Sequence, residues 1–142
     1  MGETTVFINR LYDESYDLLM EARNYFQYSA SARALPAAKT PKDKLFVNCQ
    51  AMRLTSRMTQ SMAWLLAQRA VQAGEISPEE ACSGTFSLGG EDICTDLDGH
   101  DDQRVPPPMQ NLLKRSHSLY MRVWRLDQAT RNKYGPTAYR DL

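Results

Sequence analysis

The feature that most constrains this chain is a long segment without a negative charge and without a helix breaker. Between Asp43 and Glu75 there is no carboxylate, and between Pro41 and Gly74 there is no Gly or Pro. Its centre reads MRLTSRMTQSMAWLLAQRAV, Met52 to Val71: largely apolar, yet carrying Arg53, Arg57 and Arg69. Thr40 followed by Pro41 reads as an N-cap and first helical residue, Asp43 suits the first turn, and Gly74 suits the stop. A helix over about 41–73 would be roughly 50 Å long at ~1.5 Å per residue. Ala51, Met52, Met58, Met62, Leu65, Leu66 and Ala70 form a wide apolar face, with Leu54, Trp64 and Val71 away from its centre. A helix so apolar around its circumference is sandwiched between neighbours, with the methionines read as core.

Two further helices flank it. The first spans about 5–31, with Phe7, Leu11, Leu18, Ala22 and Tyr25 recurring at helical spacing and Ile8, Tyr12, Leu19 and Phe26 beside them. The third spans about 107–133. Its Met109, Leu112, Ser116, Leu119, Val123 and Leu126 follow a 3-4 spacing, and Gly135-Pro136 ends it. Asp13, Asp17 and Glu21 share one face of the first helix, and Arg53 and Arg57 share one face of the second, so these rows are expected to meet. The resulting expectation is an all-α, antiparallel three-helix bundle, a single helical domain over 1–142 that assembles as a homodimer. Residues 134–142 read as a mobile tail.

Charge is balanced overall, with 17 basic and 17 acidic residues, but unevenly distributed. Nine acids and no Lys or Arg lie between Glu75 and Asp102, within a Gly- and Pro-rich connection. Residues 78–106 therefore read as an acidic flexible loop, too poor in large apolar groups to offset its ordering entropy. The start of the chain lacks the pattern of a signal peptide, and the longest apolar run, MAWLLA, is far short of the ~20 residues that span a bilayer. A soluble, cytoplasmic protein is expected.

Chemistry-bearing residues are few. The run CTDLDGHDD does not match a calcium loop, and Cys82 and Cys94 lack zinc-site spacing. Cys49 reads as a buried small hydrophobe, and neither loop cysteine has a fixed base. No enzyme activity, cofactor or metal is expected. The basic third helix, with Tyr120 and Trp124 among its arginines, keeps nucleic-acid binding as an alternative, although no helix-turn-helix pattern accompanies it. As partner-binding or dimer-interface candidates we take Arg53, Arg57, Trp64, Arg69, Tyr120 and Trp124, since Trp, Tyr and Arg concentrate binding energy.

Two stretches resemble a known family. Met52 to Thr55, Arg57, Trp64 to Leu66, Gln68 to Val71, Gly74-Glu75 and Ser77 match the central helix of RcdA-type proteins, regulators of CtrA degradation in alphaproteobacteria. Leu112, Ser116, Leu119-Tyr120, Arg122-Val123 and Arg125 to Asp127 match the register of that family's third helix. The resemblance implies a dimeric three-helix subunit without enzyme activity. It implies an adaptor that acts with ClpX, the unfoldase of the ClpXP protease, and a CpdR-like response-regulator co-adaptor. Its cargo would be protein substrates such as cell-cycle transcription regulators, and its place the cytoplasm with recruitment to the cell pole.

Overall fold

The computed structural model describes residues 2–28 and 40–135. These form α1 (Gly2–Tyr28), α2 (Pro41–Gln72), α3 (Pro78–Ala81), α4 (Glu91–Cys94) and α5 (Pro107–Tyr134), with no strand among them. Residues 29–31, expected in the first helix, and 136–142 of the expected tail lie outside the described residues. No described helix is long and apolar enough to cross a membrane.

The boundaries of α2 follow from local chemistry. Thr40 Oγ1 accepts from the Asp43 amide at 3.1 Å and Pro41 occupies the first turn. At the other end Gly74 takes φ 76°, the Gly74 amide reaches Val71 O at 3.0 Å and the Glu75 amide reaches Ala70 O at 2.9 Å. That paired arrangement satisfies carbonyls that a helix end otherwise leaves open. The start of α5 lies within the run Pro106 to Pro108, and Gln110 Nε2 ties it back to Asp102 O at 2.7 Å and Val105 O at 2.9 Å.

The three long helices form one core, with α2 packed against both α1 and α5. On α5 the expected seam is buried at Met109, Leu112, Ser116, Leu119 and Val123, while its last member, Leu126, is half-buried. On α1 the stripe is centred on Ile8, Leu11, Ser15, Leu18 and Ala22, leaving Phe7 42% exposed. The face of α2 is turned further. Leu54 and Trp64 are buried, whereas Met52 is 70% and Leu66 50% exposed. Cys49 is exposed as well, contrary to its reading as core.

One directional expectation fails. Glu14 pairs with Arg122 and Glu21 with Arg115, so α1 and α5 are antiparallel. Arg57, however, meets Leu113 and Ser116, and Trp64 meets Asp127, so α2 and α5 run parallel. Parallel neighbours cannot be joined by a tight turn. The α2–α5 connection must return along the full length of α2, roughly 50 Å at ~1.5 Å per residue.

It does so in contact with the bundle, not as the unsupported loop expected. Cys82 Sγ approaches Thr130 O at 3.7 Å near the far end of α5. The Gly89 amide donates to Gln60 Oε1 at 2.9 Å, and Tyr120 Oη donates to Gly89 O at 2.8 Å. Arg104 reaches Asp43 at 3.5 Å, next to the start of α2, and lies 3.7 Å from the centre of the Phe46 ring. Leu88, Cys94, His100 and Val105 are buried along the way. Gly99 sits at φ 86°, and a Cβ there would come within 2.8 Å of the buried Gln50 side chain. Gly99→Ala should therefore cost about 1–2 kcal/mol from the backbone conformation alone. Urea denaturation of the variant beside the parent chain checks this.

Candidate functional site

The crossover is fixed at its midpoint by Arg57. This side chain is fully buried. Nε donates to Cys94 O at 2.8 Å, Nη1 to Leu113 O at 3.1 Å and Ser116 Oγ at 3.3 Å, and Nη2 to Asp96 O at 2.5 Å. A buried arginine normally pairs with a carboxylate. Here its direct partners are three carbonyls and a hydroxyl. Cys94 is the last residue of α4, so its carbonyl points the negative end of that turn at the guanidinium. Burial lowers the Arg57 pKa to about 10, which still leaves it charged at neutral pH.

Two histidines close the cluster. His100 Nε2 is 3.5 Å from Arg57 Nη2, and the His100 and His117 rings meet edge-on with centroids 5.3 Å apart. His117 Nε2 lies 3.1 Å from Thr95 O. Burial, then the Arg57 charge, pushes His100 down to about 4, and the same two causes lower His117. Both are neutral at pH 7. Arg53 completes the anchor through Asp96 at 3.4 Å and Gln50 Oε1 at 2.9 Å.

The six candidate residues thus divide. Arg57, Trp64 and Tyr120 are buried and hold the bundle together, so they present no surface to a partner. Trp64 Nε1 donates to Asp127 Oδ1 at 3.0 Å, and Asp127 meets Arg131 at 2.8 Å. Arg53 is half-buried in the Asp96 contact. Arg69 is exposed, its guanidinium 4.5 Å from the Tyr12 ring centre. Trp124 is half-buried against the core. The expected meeting of Asp13, Asp17 and Glu21 with Arg53 and Arg57 does not occur. Glu21 faces Arg115, while Arg53 and Arg57 are taken by the crossover. Burial of Arg57 beneath the crossover explains this: its partners come from the connection and α5, not from α1.

Sequence reasoning missed two outward surfaces. Leu45, Met52 and Leu66 share one heptad position on α2, with the exposed Thr59 at the step between the last two, and are 64%, 70% and 50% exposed. Beside them on α1, Leu19 and Phe26 repeat the position of Tyr12 and are 39% and 36% exposed. The seven-residue recurrence was visible in the sequence, but so was a wider apolar face that masked it. Leu66 is nine residues from Arg57, roughly 180° around a helix of ~3.6 residues per turn, so this surface and the anchored crossover lie on opposite sides of α2. The second missed surface is the outside of α4 and the turn after it, where Ile93 and Leu97 are 52% and 60% exposed.

No catalytic constellation emerges among the described residues. Among the described residues no group of three or more His, Cys, Asp or Glu could hold a metal. Burial raises the pKa of Cys82 and Cys94, the opposite of an activated thiol. The basic face of α5 is largely compensated, with Arg115, Arg122 and Arg131 paired to Glu21, Glu14 and Asp127.

Comparison with known proteins places the chain. A family model described as a protein of unknown function (DUF1465) matches residues 3–139. The solved structure of RcdA from Caulobacter crescentus CB15 is similar at a TM-score of 0.64 and 31% identity, covering 87% of this chain and 89% of that one. The chain belongs to the RcdA family. No curated protein matches it. The family assignment and the all-α bundle therefore agree with the resemblance carried by α2 and α5.

The two histidines set a pH dependence. Their folded pKa values lie below the ordinary 6.5, so the unfolded chain binds protons first as pH falls. Stability is full above about 6.5 and should decline toward pH 5, by roughly 1–2 kcal/mol for His100. Denaturation midpoints measured across that window should slope for the parent and flatten in His100→Gln.

Proposed function

We propose that this RcdA-family protein is a non-enzymatic adaptor in regulated proteolysis. It would deliver protein substrates, such as cell-cycle transcription regulators, to ClpXP together with a CpdR-like response regulator. The observation that carries the reading is its likeness to RcdA over 87% of the chain, on a bundle with two opposed outward surfaces. An adaptor needs two contacts and no chemistry, because tethering alone raises the local concentration of a substrate to about millimolar for short flexible links.

The exposed seam of Leu45, Met52 and Leu66, flanked by Leu19 and Phe26, fits a second copy of the chain. Its heptad spacing, interrupted by Thr59, suits helix-to-helix packing around a two-fold axis. The protein would work in the cytoplasm as this homodimer, at the cell pole when its partners gather there, and without a cofactor or metal.

Reconstituted degradation tests the reading. With ClpXP, the co-adaptor and a cell-cycle regulator as substrate, adding this protein should speed substrate loss. Met52→Glu with Leu66→Glu should shift the protein to monomer in sedimentation and slow delivery. Unchanged degradation upon adding the parent protein contradicts the adaptor role. A dimer that survives both substitutions contradicts the seam.

A further inference from the structure

We infer that the outer face of α4 and of the turn after it, residues 91–98, is a docking surface for a partner polypeptide segment that combines Lys or Arg with aliphatic side chains. This deepens the adaptor reading by naming the chemistry that one of its two surfaces would recognise.

The inference starts from how the crossover divides its own acids. Asp96 is held by Arg53, Asp101 by Lys114 and Asp102 by Arg104. These carboxylates are paired within the chain, Asp101 at the surface with its side chain 88% exposed. Glu91, Asp92 and Asp98 are exposed and form no ion pair among the described residues. No Lys or Arg occurs between Glu75 and Asp102 to offset them locally. Between these three acids the chain exposes two large aliphatic groups, Ile93 at 52% and Leu97 at 60%.

Acids alone would mark a solvated turn. Aliphatic side chains turned out of the same short segment are different, because the segment has a buried side on which they could have packed. Cys94, between them, is fully buried. The turn is also held in place, since Arg57 grips the carbonyls of Cys94 and Asp96 on either side of Thr95. A partner would meet a shape already formed, which removes much of the ordering cost of association. The negative rim selects a basic segment and repels acidic ones and nucleic acid, while the aliphatic pair gives the contact its apolar centre.

The test uses the purified full chain and a short fluorescent peptide of interleaved Lys and Leu, with two controls: Glu in place of Lys, and Ser in place of Leu. Fluorescence anisotropy at moderate salt should show binding of the Lys/Leu peptide only. Ile93→Ser with Leu97→Ser should weaken it by about tenfold, equivalent to ~1.4 kcal/mol. Glu91→Gln with Asp92→Asn and Asp98→Asn should weaken it by a similar factor. All five positions are exposed, and far-UV circular dichroism confirms that each variant is folded. Binding that neither set alters, or that only the charge set alters, overturns the proposal. No protease enters this assay. Failure here leaves the degradation experiment to stand on its own, and failure there leaves a measured peptide site standing.

Discussion

A single buried cation organises this molecule. Removing a guanidinium from water is costly, and its return comes only through hydrogen bonds of good geometry. Arg57 finds them on two elements at once: the end of α4 and the middle of α5. Because those acceptors are mostly backbone carbonyls, the interaction specifies where the chain runs more than which side chains it carries. Replacing Arg57 would free α4 from α2 and leave the Leu113 carbonyl without that donor.

The rest of the architecture follows from that placement. With α2 and α5 parallel, the connection must travel the length of the bundle. It is fastened in sequence by Thr130, by Gln60 with Tyr120, by Arg57, and by Asp43 with Phe46. One side of α2 is thereby covered by its own chain. The opposite side, along Met52 and Leu66, keeps its apolar groups in water. A subunit built this way has two dissimilar outward faces, one an apolar helix seam and the other an acidic, aliphatic turn, which suits the adaptor role proposed above.

What could be read from the sequence was what local chemistry decides. Thr40-Pro41, Gly74 and Gly135 set helix ends within a residue or two, and the 3-4 spacing on α5 named its buried seam. Rotation of the α1 and α2 stripes was harder, because Phe7 and Ile8, or Met52 and Leu54, are equally apolar neighbours and only tertiary contacts choose between them. The crossover was illegible for a stronger reason. Composition described it as acidic, Gly-rich and poor in large apolar residues, and the few it has, Leu88 and Val105 among them, reach the core. Its order comes instead from Arg57, Gln60 and Tyr120, which lie far away in the chain and bind backbone groups that any residue would provide. Three of the six candidate residues, Arg57, Trp64 and Tyr120, act inside the bundle, since the properties that suit Arg, Trp and Tyr to interfaces suit them equally to buried polar anchors.

The central claim is that Arg57 holds an ordered crossover. Amide hydrogen exchange across residues 83–105, in the parent chain and in Arg57→Met, addresses it most directly. Protection of the Gly89, Cys94 and Thr95 amides in the parent, lost in the variant while α1 and the α2–α5 seam remain protected, is the expected result. Exchange at unprotected rates across the crossover in the parent chain, or equal protection with and without the guanidinium, would contradict the account.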